Sequence, residues 1–124
     1  MEFRHRLYIY SSGKRVLGKG GAQIFEAIDK YGSIASAAQS LGMSYKFVWD
    51  YLKRMRRILK KPVVVTRRGG AGHQKKRGGG GAVLTPTARS LLREFRSTER
   101  SVSKLLVEKG RILHRSRTQR RVKS

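Results

Sequence analysis

Cysteine is absent from the 124 residues, and acidic residues are scarce. Without cysteine the chain has no disulfide, no thiolate metal site and no thiol nucleophile. No apolar run approaches the roughly 18 residues that a membrane span needs, and the first residues lack the apolar stretch of a signal peptide. We therefore expect a cytoplasmic protein with no membrane partner.

Basic residues dominate the composition. Thirty lysines and arginines stand against seven acids, which gives a formal net charge of +23, and residues 51–93 contain no acid at all. Like charges at this density repel one another unless an anionic partner neutralises them. The composition therefore indicates a polyanionic partner, while 38% hydrophobic residues still allow a small core.

Residue types that carry catalysis or bind metals are scattered. His5, His73 and His114 have neither carboxylates nor thiols at ligand spacing, and no carboxylates are paired for acid–base chemistry. The glycines after residue 68 lack the GK[ST] ending of a phosphate-binding loop, and a β-branched run rather than a helix follows them. We expect no enzyme activity, no metal, no cofactor and no small-molecule ligand.

The N-terminal residues alternate in the manner of a strand. Residues Phe3 to Tyr10 place Phe3, His5, Leu7 and Ile9 on one side. Turn residues then lead into a second short strand, Arg15 to Leu17. The pattern predicts an N-terminal hairpin.

Three helices follow, each bounded by a capping residue. They cover Ala22–Tyr31, Ile34–Leu41 and Tyr45 to about Lys60, with Ser33 and Ser44 as N-caps and Gly32 and Gly42 at the ends of the first two. The third helix is amphipathic. Its predicted inward face is Phe47, Val48, Tyr51, Leu52, Met55, Ile58 and Leu59, and its outer face carries Lys46, Asp50, Lys53, Arg54 and Arg57.

A second hairpin and a long helix complete the chain. The runs Val63–Thr66 and Ala82–Thr85 flank a basic loop, 68–81, that holds seven glycines. Thr85 as N-cap and Pro86 then begin a fourth helix, which is predicted to end at Lys109 before Gly110. Residues 110–124 are basic and poor in large aliphatic side chains, so we expect a disordered tail.

The fourth helix has a short heptad pattern. At about 24 residues and roughly 36 Å it is too long to bury its distal half against so small a domain, so we predict a homodimer. The predicted interface residues are Ala88, Leu91, Leu92, Phe95, Val102, Leu105 and Leu106.

The second and third helices match a helix-turn-helix. Small Ala38 lies four residues before Gly42 and apolar Val48 lies six after it, which allows a close approach around a tight turn. The strand, basic loop and strand that follow are the pattern of a wing. An ordinary pair of core helices accounts less well for the basic outer face. The predicted fold is α+β and mainly α: a winged helix-turn-helix over 1–85, a dimerisation helix over 86–109 and the tail over 110–124.

Two motifs resemble a known family. The segments SYKFVWD at 44–50 and GGGGAVLT at 78–85 are similar to the N-terminal DNA-binding domain of the molybdate-responsive ModE regulators, a winged helix related to that of LysR-type regulators. The resemblance covers roughly Leu7 to Glu99. It implies a dimer held by the N-terminal hairpin region and the last helix, and it places Ser44, Tyr45 and Lys46 at the DNA face. Sensor members of the family continue into molybdate-binding domains where this chain has a basic tail, so we expect no oxyanion sensing.

Donor chemistry divides the predicted DNA contacts. Lys46 and Lys53 can reach base edges or phosphates, whereas Arg54 and Arg57 are expected at phosphates. Asp50 is expected to orient Lys46 or Lys53 rather than accept from a cytosine, and Trp49 to pack beneath the helix rather than stack on DNA. The full predicted set is Ser33, Ser44, Tyr45, Lys46, Trp49, Lys53, Arg54, Arg57, Arg67, Arg68, His73, Gln74, Lys75, Lys76 and Arg77.

Two functions remain open from the sequence. The first is a dimeric transcription regulator that recognises a pseudo-palindromic operator in double-stranded DNA. The second is an architectural, nucleoid-associated protein that coats DNA with little sequence preference. RNA is a distant third, because the deep major groove of A-form RNA does not admit a helix.

Overall fold

The computed structural model describes residues 1–67 and 80–123, with side chains as far as residue 115. Within these residues, four helices and two small hairpins confirm the predicted mainly helical fold. In chain order they are β1 (Ile9–Ser11), β2 (Lys14–Leu17), α1 (Lys19–Tyr31), α2 (Ile34–Leu41), α3 (Tyr45–Leu59), β3 (Val64–Thr66), β4 (Ala82–Leu84) and α4 (Pro86–Lys123). Among the described residues, no helix combines the length and the apolarity needed to cross a bilayer.

The N-terminal hairpin is present but shorter than predicted. Ser12 and Gly13, both at positive φ, form the two-residue turn between β1 and β2. The antiparallel pairing extends only from Ser11 opposite Lys14 to Ile9 opposite Leu17. The predicted strand from Phe3 is therefore wrong over its first six residues: α1 begins directly after β2, so those residues have no strand to pair with.

Helices α2 and α3 begin and end within one residue of the predicted positions, whereas α1 ends at Tyr31 as predicted but begins at Lys19, three residues before the predicted Ala22. The hydroxyl of Ser33 accepts a hydrogen bond from Ser36 N, and Gly32 and Gly42 end α1 and α2 in the left-handed conformation, at φ 73° and 68°. Lys60 takes the same conformation after α3, at φ 59°. Local capping hydrogen bonds and left-handed residues therefore set where α1 ends, where α2 begins and ends, and where α3 begins and ends.

The second hairpin connects the helical domain to α4. Strands β3 and β4 pair from Val64 opposite Leu84 to Thr66 opposite Ala82. The Thr85 hydroxyl donates to Pro62 O at 2.9 Å and accepts from Ala88 N at 3.2 Å. Thr85 is thus the predicted N-cap of α4, and it also joins that helix to the start of β3.

Helix α4 does not end where the sequence predicted. It continues through Gly110 to Lys123, across the segment that was expected to be a disordered tail. A single glycine inside a helix costs only about 1 kcal/mol, which does not by itself stop a helix. Gly110 is buried, and a Cβ placed there would lie 3.6 Å from Met1 O, so the N-terminal residues cross α4 at this point.

The core lies around α1. This helix packs against α2, β4 and α4, while α3 packs against α2 and β2. The largest fully buried side chains are Phe25, Phe95, Leu17, Ile24, Ile28, Met55, Val16, Val48 and Val63. Because α2, α3, both hairpins and the start of α4 all contribute to one core, the outer face of α3 has a fixed orientation.

Candidate nucleic-acid interface

The turn between α2 and α3 is tight and held by backbone hydrogen bonds. Gly42 N donates to Gln39 O at 3.2 Å, and Met43 N donates to Ala38 O at 2.9 Å. Ala37 and Ala38 are buried, which leaves room for the two helices to approach. Helix α3 therefore leaves the domain at an angle set by this turn, as the predicted helix-turn-helix requires.

The first turn of α3 is capped by Ser44. Its Oγ accepts a hydrogen bond from Phe47 N at 3.0 Å. The predicted DNA contact by Ser44 is thus combined with a structural role, since the hydroxyl oxygen is engaged while its proton stays available to a partner. Tyr45 and Lys46 follow on the exposed surface.

The outer face of α3 is basic. Lys46, Lys53, Arg54 and Arg57 are exposed, whereas Val48, Leu52 and Met55 anchor the opposite side in the core. Exposed lysines and arginines along one side of a helix supply donors for phosphates and for base edges. The structure therefore gathers these four predicted residues on one surface.

Lys46 and Asp50 form an ion pair one turn apart. Lys46 Nζ lies 2.7 Å from Asp50 Oδ2. The hydrogen bond from Lys46 lowers the pKa of Asp50 below its usual value, and the charges of Lys53 and Arg57 act in the same direction. Asp50 thus contacts Lys46, the first of the two partners that the sequence predicted, and stays ionised on a basic surface.

Trp49 lies at the side of α3 rather than on its outer face. It is partly buried against the core, as predicted, and its ring stacks on Tyr45 with centroids 6.5 Å apart. Trp49, Leu52 and Val63 contribute to a cavity of about 300 Å³ between α3 and β3. The indole therefore supports α3 from the side of the second hairpin.

Phe47 was predicted to face inward, and this prediction is wrong. Its relative exposure is 54%. The buried stripe of α3 is Val48, Leu52 and Met55, and at 100° per residue Phe47 lies a quarter-turn outside it. Position 47 therefore belongs to the exposed surface beside Asp50 and Arg54.

Tyr51 anchors the other side of α3, a contact that the sequence did not predict. Its hydroxyl donates to Val16 O at 3.1 Å, and burial raises its pKa above the usual value. A Cβ on Gly21 would lie 1.9 Å from Tyr51 Oη, so only glycine allows α1 this close to α3. Arg54 lies over the Tyr51 ring, 5.3 Å from its centroid. The glycines of the Gly18–Gly21 segment were the only signal of this approach in the sequence.

The remaining predicted DNA contacts are placed only in part. Ser33 is the N-cap of α2, and Arg67 is exposed directly after β3. Arg67 N donates to Gly81 O at 2.8 Å, so the two ends of the loop between β3 and β4 are adjacent. The other predicted loop contacts, Arg68, His73, Gln74, Lys75, Lys76 and Arg77, lie outside the described residues.

Two of the predicted dimer-interface residues are buried in the chain's own core. Ala88 is fully buried and Phe95 is 1% exposed, because α4 packs against α1 along its first three turns. Their assignment to an interface is corrected. Leu91 and Leu92 also pack partly against this core, Val102 and Leu106 are half-buried, and Leu105 is exposed.

Ion pairs hold α1 and α4 together. Arg96 donates from Nε to Glu26 Oε2 and from Nη1 to Glu99 Oε1, each at 2.8 Å, and Arg89 lies 3.0 Å from Asp29. The hydrogen bonds from Arg96 lower the pKa of Glu26, although partial burial opposes them. Three of the seven acids therefore lie along this seam. Within the described residues, no three His, Asp or Glu side chains are close enough to hold a metal ion.

The family model for the bacterial regulatory helix-turn-helix protein, lysR family, matches residues 21–89. This match includes α2, α3 and the second hairpin, and it covers more than half of the chain. The chain belongs to this LysR family. It carries the DNA-binding helix-turn-helix domain of transcription regulators.

Curated relatives support the predicted resemblance to ModE-type regulators. The chain is 39% identical over 90 residues to the molybdenum-pterin-binding protein MopB of Rhodobacter capsulatus, a match that covers 73% of this chain and 31% of MopB. It is 32% identical over 57 residues to MopA of the same organism, covering 46% of this chain and 22% of MopA. The chain thus matches less than a third of the length of these relatives.

The fold is shared with a solved structure. ArgP from Mycobacterium tuberculosis aligns with a TM-score of 0.50 at 20% identity, over 72% of this chain and 29% of ArgP. The complex of CbnR_DBD with DNA aligns with a TM-score of 0.45 at 21% identity, over 79% of this chain and 92% of that chain. The LysR-like winged helix-turn-helix architecture is confirmed.

Proposed function

We propose that the chain binds double-stranded DNA as a homodimer and recognises a pseudo-palindromic operator, with α3 in the major groove. The observation that carries this proposal is the outer face of α3, where Lys46, Lys53, Arg54 and Arg57 are exposed on a helix whose other side is fixed in the core. A B-form major groove is about 12 Å wide and admits one helix.

Lys46 is the proposed base-reading residue. It lies at the N-terminal end of α3, the end of a recognition helix that contacts base edges, and its ion pair with Asp50 holds the ammonium group over the outer face. The proposed roles of Lys53, Arg54 and Arg57, further along the helix, are contacts with phosphates. These contacts would position the protein without selecting sequence.

The loop between β3 and β4 is the proposed wing. Its ends are joined by the hydrogen bond from Arg67 to Gly81, and its sequence carries Lys75, Lys76 and Arg77 between glycines. A basic loop anchored beside α3 is suited to the DNA backbone or to the adjacent minor groove. We therefore assign residues 67–81 to non-specific affinity.

The proposed dimer forms through the distal part of α4. Large apolar side chains are exposed there, on Leu105, Val107, Ile112 and Leu113. Sedimentation at micromolar concentration should show a dimer, and Leu105→Asp should give a monomer because it places a charge in the interface. Ser90→Asp, an exposed position in the proximal part of the same helix, is the control and should stay dimeric. A monomeric wild-type chain would contradict the dimer.

The test of DNA recognition is selection from a random duplex library. We expect enriched duplexes that share a two-fold symmetric motif, because each protomer places one α3 in the groove. Binding should weaken steeply with salt, with a log–log slope near −9 if roughly ten phosphates are neutralised. Selection that enriches no motif would instead favour an architectural protein that coats DNA without sequence preference.

A further inference from the structure

Phe47 exposes an aromatic ring on the surface proposed to enter the groove. It is 54% exposed. It belongs neither to the hydrophobic core nor to the partly buried residues that pack against that core. Tyr45 is similarly exposed but stacks on Trp49. Among the described residues no ring is paired with Phe47. The side chain therefore has no evident role in holding the fold together.

The surroundings of Phe47 are charged. It shares a shallow cleft on α3 with Asp50, Tyr51, Lys53, Arg54 and Arg57. The Ser44 cap fixes its backbone in the first turn, since Phe47 N donates to that hydroxyl. The ring is thus an apolar group on a polar, basic face, attached at a backbone position that the cap fixes.

The floor of the major groove presents one apolar group to such a ring. Guanine, cytosine and adenine present hydrogen-bond donors and acceptors, whereas thymine adds the C5 methyl group. A phenyl ring has no hydrogen-bonding group to offer these donors and acceptors. It can, however, bury the thymine methyl group, and burying apolar surface favours binding.

We propose that Phe47 packs on a thymine C5 methyl group in the major groove and so selects thymine at one position of each half-site. This inference rests on the proposed function, because it requires α3 to lie in the groove. It adds the base that the helix prefers and the residue that prefers it. Lys46 supplies hydrogen bonds to a neighbouring base, and Phe47 supplies the apolar contact.

The experiment uses deoxyuridine, which differs from thymidine only by the missing methyl group. Each thymine of a selected duplex is replaced singly by uracil, and the affinity of the full chain is measured for every duplex. At one position per half-site we expect a loss of about fourfold, the factor that burying one methyl group supplies. Replacing that uracil by 5-methylcytosine, with guanine opposite, should restore the methyl contact.

Variants assign the methyl effect to a residue. Phe47→Ala should bind the thymine and uracil duplexes equally, and Phe47→Leu should keep part of the difference. Tyr31→Ala removes an aromatic ring of similar exposure at the end of α1 and should keep the full difference. Because Phe47 is exposed, the alanine variant should unfold at the same temperature as the wild type.

The possible failures are distinct. If a selected motif binds with no loss at any uracil position, Phe47 does not contact a methyl group and the proposed function stands. If Phe47→Ala keeps the uracil effect, another residue contacts the methyl and the inference is overturned. If selection enriches no motif, both the proposed function and this inference fail.

Discussion

The outer face of α3 and the seam between α1 and α4 differ in how far their charged side chains are paired. Along the seam, Arg89 and Arg96 are paired with Asp29, Glu26 and Glu99. On α3 the single acid, Asp50, faces lysines and arginines that outnumber it. Three of the seven acids in the chain thus lie on the seam, where two helices pack, whereas the helix proposed to bind DNA carries one acid among many basic residues.

This difference separates stability from binding. Neutralised charge at the seam stabilises the packing of α1 on α4, whereas uncompensated charge on α3 raises self-repulsion that a polyanion relieves. Substitutions at the seam should therefore change the free energy of unfolding, and substitutions on the outer face of α3 should change the affinity for DNA.

The largest expected difference in the free energy of unfolding is between a buried phenylalanine, Phe95, and an exposed one, Phe47. Phe95→Ala empties a site that is 1% exposed between α4 and the core, and it should lower the free energy of unfolding by about 3–5 kcal/mol. Phe47→Ala should change it by less than about 0.5 kcal/mol. Urea denaturation of both variants measures the difference, and equal losses would show that the ring of Phe47 supports the fold.

A smaller effect is expected where α1 approaches α3. Gly21→Ala places a Cβ 1.9 Å from Tyr51 Oη and should cost about 1–3 kcal/mol. Gly20→Ala, with open space at the adjacent position, should stabilise α1 by about 0.5–1 kcal/mol. Thermal unfolding of both variants, and of Gly21→Ala combined with Tyr51→Phe, checks the contact. The unfolding temperature should rise for Gly20→Ala and fall for Gly21→Ala. A fall of equal size in both variants would contradict the close contact at Gly21.

The smallest effect concerns pH. Since Arg96 lowers the pKa of Glu26 in the folded chain, the pair stabilises the protein at neutral pH, and this contribution is lost as the pH falls below about 4.5. Glu26→Gln should cost under about 1 kcal/mol at pH 7, because the pair is partly exposed, and this difference from the wild type should shrink as the pH falls below about 4.5. Glu94→Gln, an exposed acid on α4, is the control. A constant difference between pH 7 and pH 3 would contradict the role of the carboxylate.

Local chemistry explains which elements the sequence predicted well. Ser33, Gly42 and Ser44 bound α2 and α3 through hydrogen bonds within four residues, and Thr85 does the same for α4. Such signals can be recognised from a few neighbouring residues, without knowledge of distant contacts. The helix-turn-helix and the basic outer face of α3 followed from them.

The errors arose where distant parts of the chain decide the outcome. The start of β1 depends on the length of β2, and the continuation of α4 past Gly110 accompanies the crossing of the N-terminal residues. Phe95 satisfied a heptad pattern, which does not distinguish a second subunit from the chain's own core. Phe47 was assigned to the core because it lies four residues before Tyr51 on the predicted apolar face, although Val48, Leu52 and Met55 alone form the buried stripe.

The most direct test of sequence recognition compares two lysines on two helices. Lys46→Ala changes the proposed base-reading residue of α3, and Lys104→Ala removes the same charge from the exposed surface of α4. The double variant Lys46→Ala/Asp50→Ala removes the carboxylate that the single variant leaves beside the DNA. Affinities are measured for a selected duplex and a scrambled duplex at two salt concentrations.

Lys46→Ala and the double variant should lower the discrimination between the two duplexes by about 1–3 kcal/mol, while Lys104→Ala leaves it unchanged. A loss of affinity for Lys46→Ala that is equal on both duplexes would contradict base recognition by α3.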